Sequence, residues 1–204
     1  MDNQRNRKIY RYWSVIYDLW VPILFDRARL RAITLLGLQS GERLLIPGIG
    51  TGLDLPYLPP GVEVVGADLS PEMLVRVGAK AAGRDVTLLE MDVQNLTFRD
   101  ASFDAVLFNL ILTVVPDGRQ AFREGWRVLK PGGRAVIFDK FLPEDGSLTP
   151  ARRLLGHLAR AVGTDPNRRL SEIIHGAPGL ILAHMEPSLL HGQFRILLVQ
   201  KENV

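Results

Sequence analysis

Three glycines at alternate positions, Gly48, Gly50 and Gly52, directly follow the apolar run Leu44-Leu45-Ile46-Pro47. Such a run reads as a buried strand opening into a loop whose backbone comes close to a ligand. Glycine is used there because a Cβ would block the ligand or force a forbidden φ. Asp68 stands 20 residues beyond Gly48, and Asp92 and Asn109 each close a later apolar run. A carboxylate at the Asp68 spacing can accept two hydrogen bonds from a ribose diol, and one at Asp92 could take an adenine amino group. The chemistry is that of holding a nucleoside against a glycine loop.

Two common ligands of such loops fail on spacing. A dinucleotide loop needs Gly-x-Gly-x-x-Gly or Ala, but the sixth position is Leu53 counted from Gly48 and Leu55 counted from Gly50. A phosphate-cradling loop closes on Gly-Lys-Ser or Gly-Lys-Thr, and no such closure follows Gly52.

The elements that must position these residues alternate. Strands are expected at Arg43–Pro47, Val62–Ala67, Val86–Met91, Asp104–Asn109 and Arg134–Asp139, with Lys130-Pro-Gly-Gly133 as a loop before the last. Ser70-Pro71-Glu72 is a helix start, with a capping serine and proline at the first helical position, and that helix should run to about Ala82. Asp117 could cap a helix through Leu129. Strands separated by helices imply right-handed crossovers and a parallel sheet covered on both faces. Ligands of such sheets sit outside the carboxyl ends of the strands, where Gly48, Asp68, Asp92 and Asn109 all fall. Two late apolar runs, Leu180–His184 and Phe194–Gln200, are too close for a crossover helix and should pair antiparallel. A helix is expected at about Thr149–Ala161. Near the N-terminus, Ile9, Tyr12, Trp13, Ile16 and Trp20 form a helical stripe, and a second helix over Ile23–Leu36 should turn Leu30, Ile33 and Leu36 inward and stop at Gly37. The expected organisation is therefore an N-terminal pair of amphipathic helices over residues 1–38 and one α/β domain over 39–204.

At 204 residues and 47% apolar content the chain can bury a sizeable core. Its net charge of +3 is too small to argue for nucleic acid, but residues 1–32 alone carry seven basic and three acidic side chains. The absence of cysteine excludes disulfides, thiolate metal sites and a cysteine nucleophile. No metal site is expected. Nothing resembles a signal peptide and no window is long and apolar enough to span a bilayer, so the expected compartment is the cytoplasm.

With these motifs in place, the chain resembles the class I S-adenosylmethionine-dependent methyltransferases. The matching segments are Pro-Gly-Ile-Gly-Thr-Gly (47–52), Gly-Ala-Asp-Leu-Ser-Pro-Glu-Met (66–73), Met-Asp-Val (91–93), Ser-Phe-Asp-Ala-Val (102–106) and Arg-Val-Leu-Lys-Pro-Gly-Gly (127–133). The resemblance implies a Rossmann-like, doubly wound seven-stranded sheet, mostly parallel with an antiparallel last strand. It implies S-adenosyl-L-methionine as cofactor, leaving S-adenosyl-L-homocysteine. By this resemblance Gly48, Gly50, Thr51 and Gly52 would cradle the methionine part, and Asp68 would bind the ribose hydroxyls. Leu69 and Met73 would pack on the adenine, Asp92 with Val93 would meet its amino edge, and the residues after Asn109 would face the methyl group. One position departs from the pattern: the family usually has Asp or Glu two residues before the first glycine, and here Ile46 stands there. Asp54 or main-chain carbonyls would have to meet the cofactor's ammonium instead.

The stretch beginning at Asn109 narrows the acceptor. Asn109-Leu-Ile-Leu-Thr-Val-Val-Pro116-Asp is not the Asn-Pro-Pro-Tyr type found in enzymes acting on adenine amines, so no nucleic-acid partner is expected. Absence of cysteine argues against arsenic as acceptor. Within the class, Tyr17-Asp18 and Leu112–Asp117 look most like the small bacterial phosphatidylethanolamine N-methyltransferases. That resemblance implies a phospholipid amine as acceptor and places Tyr17 at the cofactor entrance. It also implies a peripheral position on the inner face of the membrane, through the aromatic and basic residues 8–20, which suit an anionic surface. Tyr12, Thr113, Lys140, Arg152, Arg153 and Arg195 are the acceptor-side candidates, the last four as candidates for the lipid phosphate. Other readings are a methyltransferase for a quinone precursor or secondary metabolite, and a non-enzymatic sensor that binds the cofactor. A monomer is expected.

Overall fold

A computed structural model describes residues 25–144, 156, 164–190 and 192–203. The first expected helix, with Tyr12 and Tyr17, and the helix expected at 149–161, with Arg152 and Arg153, lie outside these residues.

The first described element is a helix over residues 25–36 (α1), ended by Gly37 at φ +55°. Its buried face is Ala28, Arg29, Ala32, Ile33 and Leu36. Ile33 and Leu36 point inward as expected, but Leu30 does not; it is 47% exposed. The helix is turned so that two alanines, which allow close approach, and the paired Arg29 face the sheet, and Leu30 lies on the next row of the helix surface.

Five parallel strands follow: β1 (Arg43–Pro47), β2 (Glu63–Asp68), β3 (Val86–Glu90), β4 (Phe103–Asn109) and β5 (Leu129–Lys140). The first four match the expected ranges closely at both ends. The exception is the start of β5: the strand runs through Lys130-Pro131-Gly132-Gly133 instead of beginning after it. Phe103 pairs with Leu129 and Ala105 with Arg134, so the extra residues are absorbed as a bulge in one continuous strand, with Gly132 at φ +72°.

Helix α2 (Pro71–Ala81) begins as its sequence demands, with the Ser70 hydroxyl accepting from the Met73 amide at 3.3 Å. Helix α3 (Gly118–Val128) is capped by Asp117, which accepts from the Gln120 amide at 2.9 Å. A short helix α4 (Leu170–Ile174) precedes β6 (Leu180–Pro187) and β7 (Phe194–Lys201). These last two strands pair antiparallel with each other, and β7 also runs antiparallel beside β5. The seven-stranded order is β3-β2-β1-β4-β5-β7-β6. Apolar side chains fill both faces: Phe103, Phe108, Phe122 and Trp126 on the α3 face, and Leu44, Ile46, Phe138 and Ile196 with α1 on the other.

The order reverses between β1 and β4, and there the strands part. Leu44 pairs with Ala105 and Leu45 with Val106. Beyond that point Ile46 and Pro47 pair with Gly66 and Ala67 of β2, whereas Leu107, Phe108 and Asn109 pair with Val136, Ile137 and Phe138 of β5. Each strand follows its outer neighbour, and a crevice opens above the carboxyl ends of β1 and β4. This is the topological switch point at which open α/β sheets bind ligands.

Candidate cofactor and active site

The crevice is walled on the β1–β3 side by Gly48, Ile49, Gly50, Thr51, Leu53 and Asp54 of the glycine loop, by Asp68, Leu69, Ser70 and Met73, and by Met91, Asp92 and Val93. Asn109, Leu110, Ile111, Val114 and Val115 close it on the β4 side, and Arg29 reaches it from α1. Apart from Gly52, every expected cofactor residue among those described lies on this wall.

The glycine loop is held by its neighbours. The amides of Gly48 and Ile49 donate to the Ala67 carbonyl at 2.7 and 3.1 Å, and Lys80 of α2 donates to the Thr51 carbonyl at 2.8 Å. Gly48 has φ +72°, and a Cβ there would lie 2.4 Å from Cδ1 of Ile111. Gly50 differs: at φ +56° a Cβ would meet nothing within 4 Å. One glycine is required by packing and the other leaves room.

Asp68 closes β2 with both oxygens engaged. Oδ2 accepts from the Gly50 amide and Oδ1 from the Ser70 amide, each at 2.9 Å. Burial pushes its carboxyl above the ordinary range, against the lowering effect of the Ser70, Gly50 and Leu69 amides. Asp92 makes a turn of its own, accepting from the Gln94 amide at 2.9 Å and from the Gln94 side chain at 3.0 Å. Gln94 in turn accepts from the Asp117 amide at 2.7 Å, which ties this edge of the site to the start of α3. Both aspartates thus have the structural work that turn aspartates do, and both still face the crevice; a carboxylate has about four lone-pair directions to share.

Across the crevice, Asn109 donates through Nδ2 to Oδ1 of Asp54 at 2.6 Å, and Arg29 donates to the same oxygen at 2.7 Å. All three side chains are buried. Leu110, the next residue, has φ +58°, a strained value for a non-glycine residue. It turns the chain sharply out of β4 so that Leu110, Ile111, Val114 and Val115 form an apolar wall.

Thr113 and Lys140 come together, but not on that wall. The Lys140 amine donates to the Thr113 hydroxyl at 2.9 Å, and that hydroxyl donates to Oδ1 of Asp139 at 2.7 Å. The Thr113 amide donates to Oδ2 of Asp139 at 3.0 Å. Thr113 and Asp139 are fully buried, and burial pushes the Lys140 amine below its ordinary value despite Asp139 beside it. Arg195 sits at the start of β7, opposite Asp139 in the β5 register.

Two contributors escaped sequence reasoning. Arg29 carried no motif and stood among other basic residues. Arg168 donates to the carbonyls of Leu112 and Val115 at 2.6 Å and of Pro116 at 2.7 Å. It braces the loop after β4 from 52 or more residues away, a distance at which no local pattern signals contact. Among the described residues no cluster of His, Asp or Glu could hold a metal ion.

Known proteins are similar to this arrangement. A methyltransferase-domain profile matches residues 45–137. A phosphatidylethanolamine N-methyltransferase of Cereibacter sphaeroides is 30% identical over 196 residues, spanning 94% of this chain and 95% of that one. The chain belongs to the S-adenosylmethionine-dependent methyltransferases. A demethylmenaquinone methyltransferase of Thermus thermophilus is 40% identical over 126 residues, 59% of this chain and 57% of that one. The fold is shared with a solved methyltransferase of Thermotoga maritima at a TM-score of 0.69 and 19% identity, over 96% of this chain and 99% of that one.

The methyltransferase crevice fits the cofactor that its family uses. Acceptor carboxylates stand at the Asp68 and Asp92 side, Gly50 leaves the loop open, and the buried Oδ1 of Asn109 has no hydrogen-bond donor of its own. A ligand bearing hydroxyls at one end and a charged donor at the other suits that set.

Proposed function

We propose that this methyltransferase acts on the amine of phosphatidylethanolamine and its partly methylated forms, leading toward phosphatidylcholine. The observation that carries this reading is the similarity to the Cereibacter sphaeroides enzyme, which runs nearly end to end through both chains. In this reading Asp68 accepts from the ribose hydroxyls, Asp92 with Val93 meets the adenine edge, Leu69 and Met73 pack on the base, and the glycine loop lies along the methionine part. The residues outside the described structure keep their proposed places, Tyr17 at the entrance and residues 8–20 on an anionic membrane surface. Tyr12, Arg152 and Arg153, together with Arg195, stand on the acceptor side. Lys140 and Thr113, joined to each other and to Asp139, remain acceptor-side candidates.

When bound, the cofactor supplies a methyl group already activated by its sulfonium. The protein's part is alignment and exclusion of water. Bound there, the cofactor would supply that methyl group to the amine nitrogen; a primary or secondary amine would then release one proton to solvent, and a tertiary amine none. Only a neutral amine can attack. The Leu110, Ile111, Val114 and Val115 wall favours that form, because desolvation lowers an amine's pKa. Among the described residues no helix is long and apolar enough to cross a membrane.

A second reading, methylation of a quinone precursor, is favoured by the higher identity to the Thermus thermophilus enzyme. Purified protein with labelled methyl donor is to be offered ethanolamine-lipid vesicles and, separately, demethylmenaquinone, with products resolved by thin-layer chromatography. Mono-, di- or trimethylated headgroups are expected. Label in the quinone alone would replace the lipid reading with the second one, and bound cofactor with no label in any acceptor would favour a sensor.

A further inference from the structure

Arg29, Asp54 and Asn109 come from three separate elements and meet at one oxygen. Oδ1 of Asp54 accepts from Arg29 at 2.7 Å and from Asn109 at 2.6 Å. The side chains of Arg29 and Asp54 are each 4% exposed. A buried ion pair is poor evidence for stability, since desolvating both charges offsets most of their attraction. Its place invites another explanation. The cluster spans the two lips of the crevice, Asp54 on the loop after β1 and Asn109 at the end of β4, and all three residues line it.

The orientation of Asn109 is fixed by this geometry. A carboxylate oxygen only accepts, so the amide nitrogen must point at Asp54, and Oδ1 faces away from it. That Oδ1 is buried and has no hydrogen-bond donor, on a residue 6% exposed. An unpartnered buried acceptor is costly unless a ligand supplies the donor. Ile46, the position where a carboxylate would be expected to hold the cofactor's ammonium, is 1% exposed and packs with Leu44 in the apolar layer beside α1.

We infer that Arg29, Asp54 and Asn109 together form the clamp for the amino-acid end of S-adenosylmethionine. Oδ1 of Asn109 and the carboxylate of Asp54 take the ammonium, and the Arg29 guanidinium takes the carboxylate. A zwitterion requires both signs of charge at one place, and this cluster offers both, where the end of the glycine loop meets the end of β4. The polar group displaced from position 46 has been replaced from the other end of the same loop. This inference rests on the methyl donor alone and not on the identity of the acceptor.

The test contains no acceptor, so its failure is separate from failure of the lipid reading. Calorimetry is to compare S-adenosylhomocysteine with 5′-methylthioadenosine, which keeps the adenosine and the thioether but lacks the amino-acid end. Wild-type protein should prefer S-adenosylhomocysteine strongly. Asn109→Ala should weaken S-adenosylhomocysteine by roughly 10- to 100-fold and leave 5′-methylthioadenosine within about twofold, the range expected for loss of a hydrogen bond to a charged group. Asp54→Asn should show the same split. Asn109→Ala keeps the Arg29–Asp54 pair and carries the test if Asp54→Asn does not fold. Equal loss for both ligands would make the cluster structural and overturn the inference, as would unchanged affinity for S-adenosylhomocysteine.

Discussion

Asp68 holds two backbone amides, those of Gly50 and Ser70, so it fixes the glycine loop against the start of α2 before any ligand arrives. On the proposed reading it also accepts from the ribose. Asp68→Ala should therefore weaken S-adenosylhomocysteine binding by about 2–3 kcal/mol, one or two hydrogen bonds to a charged group. Unchanged affinity by calorimetry would remove the ribose role. The sign with pH follows from burial, which raises this carboxyl above its ordinary value: binding should weaken as pH falls through that raised range, earlier than for an exposed aspartate. Asp68 was legible in the sequence because a count of residues from Gly48 finds it. The Arg29–Asp54 pair was legible only in half. Asp54 sits beside the glycines and invited a question, but Arg29 differs from Arg27 and Arg31 only by the face of α1 on which it falls. Leu30 was expected inward and Arg29 was not, because helical periodicity weighs apolar side chains and has no term for a charge that is satisfied by a partner 25 residues away.

At the scale of elements, capping and pairing chemistry was readable from local residues: Ser70 and Asp117 start their helices where their side chains allow it. The Lys130–Gly133 segment was not. Its Pro and two Gly signal a turn, yet neighbouring strands hold both of its ends in register and it becomes a bulge within β5. The loop after β4 is a second case. Its apolar composition gives no hint of what holds it, and its shape depends on Arg168 reaching the Leu112, Val115 and Pro116 carbonyls. Thr113 adds another tie, its carbonyl accepting from the Asp165 amide at 2.7 Å. Arg168→Ala should leave these carbonyls short of donors and cost about 2–4 kcal/mol in urea denaturation. It should lower methyl transfer more than S-adenosylhomocysteine affinity, because the loop it braces forms the β4 side of the crevice. Equal effects on both would place the acceptor elsewhere.

For the whole molecule, one contact links the first described helix to the outermost strand. Arg31 of α1 makes two bonds to the Glu186 carboxylate of β6, at 2.8 and 3.0 Å, and His184 adds a third at 2.8 Å. The Arg31 bonds, with His184 second, hold the Glu186 carboxyl down at about 2 from an ordinary 4.5. A depressed folded-state value stabilises above the unfolded one and is lost as pH falls through the folded one. The contribution should be complete above about pH 5 and gone near pH 2. Glu186→Gln should lower the melting temperature at pH 7 and leave it unchanged near pH 2; a constant difference across that range would show that the pair contributes nothing. The parting of β1 from β4 has a mechanical side as well. Two registered pairs, Leu44 with Ala105 and Leu45 with Val106, join the halves of the sheet beneath the crevice. Any molecule lying across that opening touches the glycine loop on one lip and Asn109 on the other, and so bridges the two halves of the sheet above those two pairs. The methyl donor and its product differ by one methyl group and would span the two lips alike, so discharge of the methyl group would leave that bridge in place until the product departs.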